Sequence, residues 1–398
     1  MICSDVIQSL RFCRGRLTTN ALFLFASLLL PACAEVGVPT HLLTDVVEVE
    51  AGDRHTCVLT SAGGVKCWGF NHDGQLGDGQ GSDRSRPVDV VGLTTGVKAI
   101  TAGWRHTCAV TAGGGAKCWG NNHDGQLGDG TGSDRNTPQD VVGLLAKVTT
   151  IRAGERHTCA LTVAGGVKCW GNNHDGQLGD GTRKDKVTPV DVTGLTSGVT
   201  AITVGWRHSC ALTSVGGVKC WGSNHDGQLG DGTETDRVSP VDVTGLTSGV
   251  TATTARSRHT CGLTSTAGVK CWGNNHLGQL GDGTRHDRHT PVDVVGLTSG
   301  VKAIEAGWSH VCALTTAGGM KCWGSNHEGQ LGDGTGVDRK GPVDVVILPS
   351  GIIAISAGGE HTCAVTHGAV TCWGENEDGQ IGDGTFKSTL AAKPEVSD

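Results

Sequence analysis

Seven pairs of cysteines, each preceded by a histidine, are the residues of this chain whose types and spacing could do chemistry. Nine residues separate Cys57 from Cys67, and the same spacing recurs at Cys108 and Cys118, Cys159 and Cys169, Cys210 and Cys220, Cys261 and Cys271, and Cys312 and Cys322. The last pair, Cys363 and Cys372, is one residue closer. A histidine stands two residues before the first cysteine of each pair, as His55 does before Cys57. Such thiols can form disulfides, stay reduced in a core, or join the histidine as three zinc ligands. Zinc needs a fourth ligand, and none recurs nearby, so no metal site is expected. The turn from Asn122-His123-Asp124-Gly125 to Asp129-Gly130 superficially resembles a calcium loop but lacks the EF-hand spacing and its final Glu. The plain reading is that Gly supplies positive φ, Asn and Asp bond to local backbone, and Leu127 plugs the core.

The elements that must position the cysteines are β-hairpins. If Cys57 faces Cys67, then Val58 faces Lys66, Leu59 faces Val65 and Thr60 faces Gly64, which leaves the three-residue loop Ser61-Ala62-Gly63 with Gly at its left-handed position. In the last pair the loop shortens to His367-Gly368, and Cys363 still faces Cys372. A deletion that keeps the two sulfurs opposed points to their pairing, with buried reduced thiols as the alternative.

These hairpins belong to a repeat. Cys57, Cys108, Cys159, Cys210, Cys261, Cys312 and Cys363 are each 51 residues apart, a period typical of propellers and solenoids. Within the fourth unit, Val199–Val204, Ser209–Thr213, Val218–Trp221 and Pro240–Val243 read as four short strands, and no segment has a helical apolar period. Four strands per unit and seven units predict an all-β, seven-bladed β-propeller over residues 46–398. Blades packed on both faces explain the small residue after the first cysteine (Ala109, Ala160, Ala211) followed by Leu or Val. The 65 Gly residues occupy fixed places in the repeat, and Tyr is absent.

The motif that begins at Gly69, Gly120, Gly171, Gly222, Gly273, Gly324 and Gly374 reads Gly-x-Asn-x-x-Gly-Gln-Leu-Gly-x-Gly, preceded by Ala-Gly-x-x-His as in Ala102-Gly103-Trp104-Arg105-His106. It resembles the repeat of the regulator-of-chromosome-condensation family, and the resemblance covers about residues 46–396. It implies a seven-bladed propeller; Kelch-type propellers, with a similar period and a Gly-Gly pair as at Gly216-Gly217, are the alternative. Arg256 stands in place of Gly, Leu277 in place of Asp, Glu377 in place of His and Ile381 in place of Leu. The family includes a nucleotide exchange factor for a small GTPase, parts of ubiquitin ligases and bacterial inhibitor proteins. No exchange-factor residue can be carried over position by position, and fold alone does not define function.

Residues 1–34 read as an export leader: Arg11, Arg14 and Arg16, then the ten-residue apolar run 21–30, too short to span a bilayer. Leu30-Pro31-Ala32-Cys33 resembles a bacterial lipoprotein box with Cys33 as the lipidated residue; Ala32-Cys33-Ala34 also suits ordinary signal cleavage. Residues 35–45 are a linker or closing strand, since residues 39–43 and 394–396 both resemble the fourth strand and one of them is expected to complete a blade containing the other end. A lipid anchor on Cys33 would be the sole membrane contact. With a net charge of −7 of mixed sign, no nucleic-acid footprint is present.

No catalytic motif stands out, and a channel enzyme would need a distinctive titratable cluster in one blade, which no blade carries. The expectation is a non-enzymatic scaffold with no cofactor, exported to periplasm, outer membrane or cell surface, that binds a protein or glycan; the alternative is an exchange-type regulator of a small GTPase. Two variable positions before the recurring His suggest where. The first reads Asp53, Trp104, Glu155, Trp206, Ser257, Trp308, Gly359, and the second Arg54, Arg105, Arg156, Arg207, Arg258, Ser309, Glu360. On one propeller face these place three Trp among five Arg, side chains favoured at binding hot spots. The alternative is that the Trp residues pack over neighbouring loops and the Arg residues pair with the Asp of Asp134-Arg135 type loops.

Overall fold

The computed structural model describes residues 43–144, 147–348 and 350–392. The expected leader, Cys33 and the segments 39–42 and 394–396 lie outside the described residues. Among the described residues there is no helix, and the strands form seven antiparallel sheets arranged as the blades of a β-propeller.

Blade 1 shows the plan. Strand β1 (Val46–Ala51) lies innermost, followed outward by β2 (His55–Thr60), β3 (Val65–Gly69) and β4 (Arg84–Asp89). Blades 2 to 6 repeat this order over residues 97–140, 148–191, 199–242, 250–293 and 301–344. Each first strand carries a bulge near its start, as between Val46 and Glu48, which raises its local twist. The second strand is buried on both faces, because the neighbouring blades cover both.

The hairpin register is the expected one: Cys57 faces Cys67, Val58 faces Lys66 and Leu59 faces Val65. All seven pairs are disulfides, with Cα atoms 4.1 Å apart in Cys57–Cys67 and in Cys363–Cys372. Gly63 takes the left-handed position at φ 78°, and in the shortened last loop both His367 (φ 51°) and Gly368 (φ 86°) are left-handed, as a two-residue hairpin turn requires.

The core is a set of seams. Cys57, Leu59, Cys67 and Leu76 of blade 1 pack on Ile100, Ala109 and Trp119 of blade 2, and the other seams repeat this set with local substitutions. The small residue after each first cysteine leaves room for the buried Trp. Leu127 is fully buried, as expected. Asn122 Oδ1 accepts from Leu127 N at 2.9 Å and Asp129 accepts from Thr131 N at 2.9 Å, so these turns bond to their own backbone.

Blade 7 (residues 352–374) has three strands, and Thr389 bridges Gly374 where the fourth would lie. The segments 39–42 and 394–396, one of which is expected to complete a shared blade, lie outside the described residues. Side chains join blades 7 and 1 as they join the others: Trp68 Nε1 donates to Gln380 O at 2.9 Å and Ala51 N to Ser356 Oγ at 2.9 Å.

A tryptophan–arginine face as the candidate interaction site

The recurring histidines are interblade latches. His55 Nε2 meets Thr107 Oγ1 of the next blade at 2.9 Å, and that hydroxyl donates to Gln75 O at 2.8 Å. Since the hydroxyl proton goes to the carbonyl, Nε2 carries the ring proton and Nδ1 has no partner. Trp119 Nε1 donates to the same Gln75 O at 2.9 Å. The preceding Gly is required sterically, because a Cβ on Gly205 would lie 2.2 Å from His208 Cε1. Burial drives these rings down to about 3 in six blades and about 4 for His259. They are packed, neutral histidines, as expected, and the disulfides use the thiols that a zinc site would need.

His259 breaks the pattern. Val311 stands where the other blades have Thr or Ser, so both nitrogens of this fully buried ring lack partners.

The latches hold the two variable positions on one face. Trp104, Trp206 and Trp308 are half-buried and, with Asp53, Glu155 and Ser257 of the intervening blades, line one small cavity. Residues from six blades meet in this way only if their side chains converge on the axis. The rings of Trp206 and Trp308 approach to 5.4 Å. Trp104 lies under the guanidiniums of Arg105 (4.5 Å) and Arg156 (5.4 Å), and Trp206 under Arg207 (5.1 Å) and Arg258 (4.8 Å). Burial pushes the carboxyl of Asp53 up to about 6, against Arg256, Arg54 and a hydrogen bond from Trp104.

The arginine partners differ from the expected ones. Arg105 pairs with Asp73 at 3.3 Å, Arg156 with Asp124 and Arg207 with Asp175 at 3.4 Å, Arg258 with Asp226 at 3.5 Å, and Arg54 with Asp378 at 2.5 Å. Each is the Asp before Gly-Gln in the preceding blade. The Asp134-type residue instead accepts from the backbone, as from Asn122 N at 2.7 Å, and its neighbour Arg135 turns to Asp129 at 2.9 Å. This accounts for two departures from the repeat: Leu277 stands where the partner of Ser309 would be, so both halves of that pair are missing together. In blade 7 Glu360 follows Glu328, and burial and this neighbour raise its carboxyl. The face therefore has an arc of Arg–Asp pairs over blades 1–5 and an acidic sector without arginine at blades 6 and 7. The five arginine side chains remain 38–48% exposed.

Asp175, His225 and Asp236 bring ligand atoms within 4.8 Å of one another. Arg207 and Arg183 already engage the two carboxylates, and ion pairing accounts for the group.

Sequence reasoning missed a second set. Glu48, Glu50, Arg152, Arg256 and Glu305 come from blades 1, 3, 5 and 6 and share the axial channel. A search for a distinctive cluster within one blade could not find them; reading the first-strand column across repeats, as was done for the Trp column, would have. Burial and Glu50 push both Glu48 and Glu305 up to about 8.

A seven-bladed propeller built on this motif is a class of repeat domain, and the chain matches the RCC1-like domain over residues 29–293 and the regulator of chromosome condensation (RCC1) repeat over residues 301–330 and 352–380. It belongs to the RCC1-like family. It is 34% identical over 342 residues to the ultraviolet-B receptor UVR8 of Arabidopsis thaliana, covering 84% of this chain and 77% of that one. It is 33% identical over 285 residues to the human E3 ubiquitin-protein ligase HERC2, covering 70% of this chain but 6% of the ligase. Among solved structures, yeast RCC1 (Prp20) bound to Kap60 superposes with a TM-score of 0.74 at 20% identity, over 97% of this chain and 91% of that one. Human WBSCR16 superposes with a TM-score of 0.73 at 23% identity, over 81% and 87%.

Proposed function

We propose that the protein is a non-enzymatic, extracytoplasmic binding scaffold that presents the Trp–Arg face to a protein or glycan partner with acidic character. The observation that carries this reading is the convergence of Trp104, Trp206 and Trp308 at the axis within an arc of partly exposed arginines. Four of the five arginine pairs to Asp are 3.3–3.5 Å apart and their arginines are partly exposed, so an acidic partner could compete for these guanidiniums at small cost. Indole and guanidinium groups supply most of the energy at such centres. Relatives support protein binding as the mode: solved structures concern yeast RCC1 with Kap60 and Prp20p with Gsp1p and histones. The test combines N-terminal mass spectrometry of the native protein with a Trp104, Trp206 and Trp308 to Ala variant. We expect a cleaved or lipidated N-terminus at or near Cys33, and loss of captured envelope partners by a normally folded variant. Unchanged capture would remove this face as the site.

An exchange-type regulator of a small GTPase is the alternative; an exported chain would not meet that partner, so the same mass spectrum discriminates. The Trp206–Trp308 contact favours one further reading, light reception, given the relative described as an ultraviolet-B receptor. Irradiation in the indole absorption band would then change the hydrodynamic radius of the protein but not of a Trp206→Phe variant.

A further inference from the structure

The first strands of the seven blades line the axis, and one column of the repeat supplies a ring of polar side chains there. In most seams this ring is a stitch. Ser356, Thr101, Thr203 and Thr254 each accept the amide of the next blade's first strand, at 2.9, 3.2, 2.9 and 3.0 Å. Glu50 does the same for Ala102. A first strand is a sheet edge whose amides need acceptors, so the hydroxyls are explained. A stitch asks only for an acceptor, and Thr suffices in blades 2, 4 and 5. Arg152, in the same column of blade 3, has no acceptor to offer and cannot stitch.

The order of the blades puts these charges on opposite walls. In a seven-membered ring blade 3 lies across from the boundary of blades 6 and 7. Arg152, flanked by Thr101 and Thr203, therefore faces a wall made by Glu305 of blade 6, Ser356 of blade 7 and Glu50 of blade 1, which Glu48 extends along the channel. Arg256 of blade 5 enters beside them and donates from Nη1 to Ala51 O at 2.8 Å. Glu50, Arg152, Arg256 and Glu305 bound a cavity of about 310 Å³, within the range of small-molecule sites. The three Trp residues converge over one end of the channel. At the other end the first strands begin with exposed Val47, Lys98, Thr149, Thr251 and Lys302. The channel is a blind pit.

Glu48, Glu50, Arg152, Arg256 and Glu305 are half-buried on the wall of this channel. Among the described residues no ion pair within contact distance joins any of them to another, although Arg152 and Arg256 lie near enough to pull the Glu50 and Glu305 carboxyls down. Charges held apart in this way are open to a ligand that bridges them. We infer that the pit is a binding site for a small zwitterion of the α-amino acid type, with its ammonium against Glu50 and Glu305 and its carboxylate against Arg152. Burial, and then Glu50, push the Glu305 carboxyl up to about 8 even against Arg152 and Arg256, and an ammonium seated against it would favour its charged form further. Arg256, Ala153 and Val204 line both this pit and the small cavity of the three Trp residues, but the inference does not depend on what the outer face binds.

The experiment is calorimetric titration of the folded, oxidised protein with each standard free amino acid at millimolar concentration. The best binder is then compared with its decarboxylated amine and its deaminated acid. Saturable binding of at least one amino acid is expected, and loss of either charge should weaken it about tenfold or more. An Arg152→Met variant should bind the amine as wild type does and lose its preference for the amino acid; Glu305→Gln should weaken both. No saturable binding of any amino acid to the wild type would overturn the inference. So would an amine or acid that binds as tightly as the zwitterion. The wild-type comparison decides the matter even where a variant fails to fold.

Discussion

The seam between blades 5 and 6 offers a substitution whose sign is opposite to what the same exchange does elsewhere. At six seams a histidine Nε2 meets a Thr or Ser hydroxyl at 2.8–2.9 Å. At the seam between blades 5 and 6, Val311 leaves His259 without a partner, and Gln279 O accepts only from Trp323 Nε1, at 2.9 Å. Val→Thr is isosteric, so no cavity forms; replacing the methyl costs about 1 kcal/mol of transfer energy. The new hydroxyl finds two waiting partners, each adding about 0.5–1.5 kcal/mol, and the bond to His259 is the one that relieves its buried orphan N–H. Val311→Thr should therefore stabilise by up to about 2 kcal/mol, although Val→Thr in a core usually destabilises. The reverse exchange, Thr107→Val, orphans His55 and should cost about 2–3 kcal/mol. Because repeat arrays can unfold in parts, the assay is denaturant titration together with amide exchange in segments 259–264 and 310–315. Slower exchange there in Val311→Thr is the expected result. A Val311→Thr variant destabilised like Thr107→Val would refute the latch argument.

Acid should unfold the propeller through the same histidines. Their folded values, about 3 to 4, lie below the ordinary 6.5, so the unfolded chain takes up protons the folded one refuses, and stability falls as pH drops from 6.5 toward 3. Each ring contributes up to about 1.4 kcal/mol per pH unit; Glu48 and Glu305, raised to about 8, act oppositely, their contribution being lost as pH rises through 8. Melting temperature against pH should peak near neutrality and collapse below about pH 5; a flat profile from 6.5 to 4.5 would count against the assigned protonation. Thiol titration of the denatured, unreduced protein should find no thiols beyond Cys3, Cys13 and Cys33, and around fourteen would contradict the seven disulfides. Reduction of each short loop should cost about 2–3 kcal/mol or less, read as a lowered denaturation midpoint. Gly205→Ala, whose Cβ would meet His208 at 2.2 Å, should destabilise by at least about 2 kcal/mol; Gly341→Ala, with nothing within 4 Å, should stay within about 0.5 kcal/mol in the same titration.

Much of this architecture was legible in the chain because it is local. Opposed cysteines, three-residue and two-residue hairpin turns and self-bonded Asn and Asp turns follow from side chains alternating along strands and from loop length, all within about twenty residues. The 51-residue period then set the number of blades. Tertiary structure alone decided who meets whom across a seam. His55 finds Thr107 52 residues on, Arg105 finds Asp73 32 residues back, and Trp119 finds Gln75 44 residues back. None of these offsets is a multiple of the 51-residue repeat, because each crosses from one blade to its neighbour, so the expected Arg partner was the wrong Asp. Closing the ring had the larger effect. Residues at the same place in successive repeats are far apart along the chain, and the ring brings them to one axis. Trp104, Trp206 and Trp308 then meet at one end of the channel, and Glu50, Arg152 and Glu305 become the facing walls of one pit.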